Sequence, residues 1–131
     1  MSRIGILAVV CACLAVISPQ ASRAALDFTD PAEAPSDLEI VVVEAPGCIY
    51  CNLFRRDVWP FYENSQRAKT VPMRFVDVNS DAVEELGLAG PIDSVPTALV
   101  LRQNMEVGRI PGYTGPQSFF LSIDRLLAAT P

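Results

Sequence analysis

Ala45-Pro46-Gly47-Cys48-Ile49-Tyr50-Cys51 is the stretch from which the fold of this chain can be inferred. It follows a β-branched apolar run and precedes a segment with apolar residues at helical spacing, so it predicts a strand–turn–helix junction. Unpaired backbone N–H groups and the positive end of the helix dipole stabilise a thiolate at the start of a helix. Two cysteines three residues apart at that position are suited to reversible disulfide chemistry, and Cys48 and Cys51 are therefore the candidate catalytic pair.

The beginning of the chain has the pattern of a secretory signal peptide. Arg3 supplies a positive charge, residues 4–17 form an apolar run, and Ser22 and Ala24 are small residues at the positions that a signal peptidase reads. We expect residues 1–24 to be a signal peptide that is cleaved after about Ala24, and the protein to be periplasmic. A retained membrane anchor is the alternative, although the apolar run is shorter than the ~20 residues that span a bilayer.

The remainder of the chain has the composition of one acidic domain. The full sequence of 131 residues has a formal net charge of −5, and removal of Arg3 and Arg23 with the signal peptide would lower it to −7. Such a charge disfavours nucleic acid as a partner. Residues 25–36 are rich in proline, alanine and acidic side chains and are expected to form a linker, and residues 37–131 are expected to form the domain.

Hydrophobic periodicity predicts seven elements in the order β-α-β-α-β-β-α. The predicted segments are a strand at 38–44, a helix at about 48–66, a strand at 71–78, a short helix at 82–86, a strand at 98–101, a strand at 105–110 and a helix from Pro116. Pro60 should kink or divide the long helix. We expect an α/β fold in which three helices flank a central mixed sheet of about four strands.

These features resemble the thioredoxin superfamily over about residues 36–131. The resemblance rests on the order of elements, the Cys48–Cys51 stretch and Ser94-Val95-Pro96-Thr97 before the hairpin. The Cys48–Cys51 stretch and Val107-Gly108-Arg109-Ile110-Pro111-Gly112-Tyr113 are also similar to the small exported (SoxS-type) thioredoxin-like proteins that accompany bacterial sulfur-oxidation systems. The resemblance implies a thioredoxin-like fold and a cis proline at Pro96 against the cysteine pair.

The same resemblance implies roles for residues around the pair. Val95 and Pro96 would present their backbone to an extended segment of the partner protein. Tyr50 would pack beside the disulfide, contact the partner, or only shape the loop. Gly112 and Tyr113 would lie near the rim of the site.

The sequence departs from the thioredoxin pattern on the first strand. Val42 stands where thioredoxins carry a buried Asp, six residues before the first cysteine. Glu44 is the nearest acid in sequence, and it is either a solvated acid at the strand end or a partial substitute. Among the helix residues, Trp59 and Phe61 are expected to be core or helix-packing aromatics, and either Phe61 or Tyr62 is expected to continue the buried face. The segment 55–57 is expected to be a solvated face.

Thiol–disulfide exchange is the predicted chemistry, with Cys48 as the nucleophile and Cys51 as the resolving thiol. The resemblance favours a reductase that keeps the thiols of periplasmic partners reduced, with disulfide-containing proteins as substrates and a membrane reductant-delivery protein as the electron source. No cofactor is indicated, and no membrane span is expected after signal cleavage.

Three alternatives remain open at this point. A disulfide oxidase or isomerase would use the same fold. The two cysteines also match half of a zinc site or a copper-chaperone loop, but the sequence has no histidine and no further cysteine beyond residue 24. A non-catalytic module with a fixed disulfide is the third alternative, although a bridge between residues three apart constrains the unfolded chain little.

Overall fold

A computed structural model of the protein describes residues 37–130. The predicted signal peptide (1–24), the predicted linker (25–36) and Pro131 lie outside the described residues. The described elements are β1 (Leu38–Glu44), α1 (Ile49–Asp57), α2 (Trp59–Glu63), α3 (Arg67–Thr70), β2 (Met73–Asp77), α4 (Asp81–Glu84), β3 (Thr97–Arg102), β4 (Met105–Pro111) and α5 (Pro116–Ala129).

The four strands form one mixed sheet in the order β2-β1-β3-β4. β1 is parallel to β2 and antiparallel to β3, and β3 is antiparallel to β4. The apolar run from Ile40 to Val43 is buried because β1 is central and covered on both faces. The predicted mixed four-stranded sheet is therefore confirmed.

Alternation along the strands divides the core into two layers. Side chains of one layer, including Ile40 and Val42, pack with Phe54 of α1 and with Phe119 and Ile123 of α5. The opposite layer is formed by the alternate strand residues, against which α4 and the loop that follows it pack. The buried members of this second layer are Val41, Val43, Val76, Leu86, Leu99 and Leu101.

The first helical region is divided, as the position of Pro60 predicted, but its bounds differ from the prediction. α1 ends at Asp57, and Pro60 is the second residue of α2. Proline has no N–H with which to continue the hydrogen-bond ladder, so the helix breaks ahead of it. Residues 67–70 form a further short helix. The part of the chain that is described thus has five helical segments where three helices were predicted.

The division of the helix also changes which aromatic side chains are buried. Phe61 or Tyr62 was expected on the buried face, and Phe61 is 71% exposed, so the expectation of a core or helix-packing role is wrong for Phe61. Tyr62 takes the buried position instead because it lies four residues after buried Val58 and so continues that face. Trp59 packs edge-on against Phe75 with 5.3 Å between ring centroids, as expected of a core aromatic. None of the helices within residues 37–130 is both long and apolar enough to cross a membrane.

Candidate active site

Cys48 and Cys51 form a disulfide at the beginning of α1, with their Cα atoms 5.3 Å apart. Cys48 is the N-cap residue rather than the first helical residue, and its Sγ accepts a hydrogen bond of 3.1 Å from the N–H of Cys51. Gly47 makes the preceding turn with φ of +74°, which a residue with a Cβ rarely adopts. Cys51 is 3% exposed, whereas Cys48 is only partly buried. An attacking group from outside would therefore meet Cys48 first.

Val95 and Pro96 lie beside this disulfide. The Val95–Pro96 peptide bond is cis, the isomer that the resemblance implied. The backbone oxygen of Val95 is 3.7 Å from Sγ of Cys48. The hydroxyl of buried Thr97 donates a 2.7 Å hydrogen bond to the backbone oxygen of Ser94, which holds the turn from the other side.

Tyr50 borders an open groove next to the disulfide. Its side chain is 59% exposed, and that of Ile49 is 72% exposed. The groove has a volume of about 300 Å³ and is lined by Tyr50, Leu53, Asp57, Tyr113, Thr114, Gly115 and Pro116. Tyr113 reaches the rim predicted for it, and its hydroxyl donates to Asp57 Oδ2 at 3.4 Å. Partial burial and the neighbouring Asp57 carboxylate raise the pKa of Tyr113.

Glu44 is partly exposed at the end of β1, where it forms an ion pair with Arg55. Arg55 donates from Nε and Nη2 to the two carboxylate oxygens of Glu44 at 2.8 and 2.5 Å. The Arg55 guanidinium also lies 3.7 Å from the centre of the Phe75 ring. Hydrogen bonding to Glu44 raises the pKa of Arg55. Arg55 and Arg56 are exposed, as predicted for a solvated face, and Arg55 in addition pairs with Glu44 because the strand end and the helix meet in the folded chain.

At the position where thioredoxins carry a buried Asp, this chain has Val42, and its surroundings are apolar too. Val42 is 1% exposed and belongs to the core layer of Phe54. Within residues 37–130, no three or more Cys, His, Asp or Glu side chains are grouped as a metal site.

The sequence comparison decides the family. A family model described as a thioredoxin-like domain matches residues 16–126. The chain belongs to the thioredoxin-like family. A search of curated proteins found no match. This thioredoxin-like protein is a thiol–disulfide oxidoreductase with its Cys48–Cys51 pair at disulfide distance.

Solved structures similar to this thioredoxin-like protein include several thioredoxins. The periplasmic thioredoxin SoxS from Paracoccus pantotrophus aligns with a TM-score of 0.67 and 26% identity, over 72% of this chain and 99% of that chain. Plasmodium falciparum thioredoxin aligns with a TM-score of 0.53 and 26% identity, over 69% and 82% of the two chains. The germline-specific thioredoxin Deadhead of Drosophila melanogaster shares the fold, with a TM-score of 0.54 and 22% identity, over 72% and 85%.

Proposed function

We propose that this thioredoxin-like protein is an exported reductase that keeps the thiols of periplasmic partner proteins reduced, among them proteins of a sulfur-oxidation system. The observation that carries the proposal is the Cys48–Cys51 disulfide at the start of α1, with the carbonyl oxygen of Val95 3.7 Å from Cys48 Sγ. Similarity to the periplasmic thioredoxin SoxS supports the proposed periplasmic location. A disulfide oxidase or isomerase is the alternative direction of the same chemistry.

The proposed reaction begins with the pair reduced. The Cys48 thiolate attacks one sulfur of the partner disulfide, the partner S–S bond breaks, and the second partner sulfur leaves as a thiolate. Cys51 then gives up its proton, which the departed partner thiolate can take, and as a thiolate it attacks Cys48 Sγ and displaces the other partner sulfur. The partner gains two electrons and two protons, and the Cys48–Cys51 disulfide forms. A membrane reductant-delivery protein returns two electrons to the pair.

Two features would bind the partner during this exchange. The backbone at Val95 and Pro96 would receive an extended segment that carries the attacked disulfide. The groove between Tyr50 and Tyr113 would take an apolar side chain of the same segment, since exposed aromatic surface beside a cavity is typical of contact sites.

A trapping experiment tests the exchange mechanism. Cys51→Ser removes the resolving thiol, so the variant should accumulate a mixed disulfide between Cys48 and its partner. Cys48→Ser is the matched control and should trap no partner, since Cys51 is buried. Periplasmic extracts would be run without reductant and the adducts identified by mass spectrometry. Equal trapping by both variants, or trapping by neither, would contradict the proposed roles.

The direction of exchange is tested by the redox potential of the pair. Equilibration with reduced and oxidised glutathione should give a potential nearer to about −270 mV, the thioredoxin value, than to about −120 mV, the value of a strong oxidant. A potential at the oxidant end would replace the reductase with an oxidase.

Export is proposed from the sequence pattern of residues 1–24. We propose that they are a signal peptide cleaved after Ala24, that residues 25–36 are a linker, and that the domain follows. Amino-terminal sequencing of the protein from a periplasmic fraction should begin at Ala25. Recovery of the uncleaved chain in the membrane fraction would favour the anchor instead.

A further inference from the structure

The loop between α4 and β3 delivers Val95 to the disulfide, and it is fastened to the edge strand β4. At the beginning of the loop, the N–H of Gly87 donates to the oxygen of Asn104 at 2.9 Å. The oxygen of Gly87 accepts from the N–H of Glu106 at 2.8 Å. The loop therefore starts as a short addition to the outer edge of β4.

Two side chains of β4 then hold three residues further along the loop, Ala89, Gly90 and Pro91. Arg109 Nη1 donates to the oxygen of Pro91 at 2.7 Å, and Nη2 donates to the oxygen of Gly90 at 3.0 Å. Oε2 of Glu106 accepts from the N–H of Ala89 at 2.8 Å. We name Glu106 and Arg109 the loop clamp.

The members of the loop clamp also hold each other. Nε and Nη2 of Arg109 donate to the carboxylate of Glu106 at 2.5 and 2.6 Å. The Glu106 side chain is 4% exposed and that of Arg109 is 24% exposed. The hydrogen bonds from Arg109 and from the Ala89 N–H lower the pKa of Glu106. A charged, largely buried pair of this kind holds its geometry more firmly than a surface pair.

A β-bulge makes the clamp possible. Residues three apart on a regular strand point to opposite faces of a sheet. The register here pairs Glu106 with Leu101 and Arg109 with Leu99, two residues apart, because it shifts between Val100 and Leu101. The shift turns both side chains to the same face, and the loop packs on that face through Ile92 and Val95.

We propose that Glu106 and Arg109 are positioning residues that set the place of the Val95 backbone beside Cys48 and so determine how tightly a protein disulfide is bound. Pro91, whose oxygen accepts the hydrogen bond from Arg109, lies four residues before Val95. On the other side of Val95, the Thr97 hydroxyl donates to the oxygen of Ser94. The inference deepens the proposed function and rests on it. The loop clamp should therefore matter more for a disulfide within an extended protein segment, which binds the Val95 backbone, than for a small disulfide that does not.

The test compares a protein disulfide with a small one. Arg109→Leu removes every clamp bond of the guanidinium, and Arg109→Lys restores the charge without the planar fork. Arg74→Leu is the control, because Arg74 makes a comparable two-bond ion pair with Glu39 between β1 and β2, and β2 lies at the opposite edge of the sheet from β4. The reduced proteins are reacted with insulin and with oxidised glutathione, and loss of the Cys48 and Cys51 thiols is followed by quenching with an alkylating agent and mass spectrometry of the protein.

Arg109→Leu should lower the ratio of the insulin rate to the glutathione rate about tenfold, the equivalent of a charge-assisted hydrogen bond. The fall should appear as a higher insulin concentration for half-maximal rate, with a smaller change in the limiting single-turnover rate. Arg109→Lys should recover part of the ratio, and Arg74→Leu should leave it unchanged. Equal losses with both substrates would reduce the clamp to a stabilising contact and overturn the proposal.

Hydrogen exchange separates this proposal from the proposed function. The Ala89 amide should exchange at least about tenfold faster in Arg109→Leu than in Arg74→Leu, since Glu106 loses its partner. If the parent protein reduced neither substrate, the reductase proposal would fail, and Ala89 exchange alone would decide whether the clamp holds the loop. Unchanged exchange would overturn the clamp.

Discussion

Among single residues, Tyr62 is a polar side chain whose environment the structure defines closely. It is 1% exposed, and its hydroxyl donates a 2.6 Å hydrogen bond to the backbone oxygen of Val71. Tyr62→Phe should cost about 1–2 kcal/mol of unfolding free energy, because that oxygen loses its side-chain donor. Urea unfolding measures the loss, and Tyr50→Phe at the exposed groove is the control. Equal stabilities of the two variants would contradict the assignment.

Tyr62 also predicts a loss of stability in alkali. Burial raises the pKa of Tyr62 to about 12 from an ordinary value of 10.0, so folding favours the protonated phenol. That stabilisation is complete below the unfolded pKa and is lost as pH rises from about 10 through 12. Unfolding free energies measured from pH 9 to 12 should therefore fall less steeply for Tyr62→Phe. Parallel curves would show that another group carries the alkaline dependence.

Val42 allows a test of what an acid would do at the position where thioredoxins carry a buried Asp. Val42→Asp places a carboxylate in an apolar layer and should cost about 3–5 kcal/mol at neutral pH. Burial would raise the pKa of this Asp, so the cost should shrink as pH falls toward 4. Val42→Ala, which leaves a cavity without a charge, should lose stability without that pH dependence. A pH-independent cost for Val42→Asp would mean that its carboxylate reaches water or Arg55.

At the scale of elements, the α4–β3 loop can approach β4 closely because Gly87 has no side chain. A Cβ at Gly87 would lie 2.8 Å from the backbone oxygen of Asn104 and against the Met105 side chain. Gly87→Ala should therefore destabilise the protein by about 1–3 kcal/mol, because backbone cannot move aside as a side-chain tip can. Gly90→Ala is the control, since its Cβ would meet nothing within 4 Å. Thermal unfolding that ranks the two variants equally would contradict this close approach.

At the scale of the whole molecule, the redox direction and the stability are linked. A reductase gives up electrons readily because its oxidised form is the more stable one, whereas a strong oxidant is more stable when reduced. The disulfide closes a very short loop. The unfolding free energy of the oxidised form should therefore exceed that of the reduced form by no more than about 2 kcal/mol. Urea unfolding with and without a saturating dithiol measures the difference. A more stable reduced form would favour the oxidase alternative.

Features that depend on neighbouring residues in the chain could be predicted from the sequence, whereas features that need distant residues to meet could not. The apolar run at 38–44 and the Cys48–Cys51 junction were sufficient for the central strand and the helix start, since local periodicity and turn residues determine both. Pro60 likewise predicted the helix division. Phe61 was assigned wrongly because the break restarts the helix and Tyr62 takes the inward position.

The sequence by itself determined the order of the elements and the placing of the cysteine pair at a strand–helix junction, because these follow from spacing along the chain. Only the tertiary structure decided how charged residues pair around the site. Glu44 meets Arg55 because the end of β1 lies beside α1, and Glu106 meets Arg109 because a bulge removes the usual alternation. Strand register is a non-local property, and a shift of one residue exchanges the faces on which side chains stand.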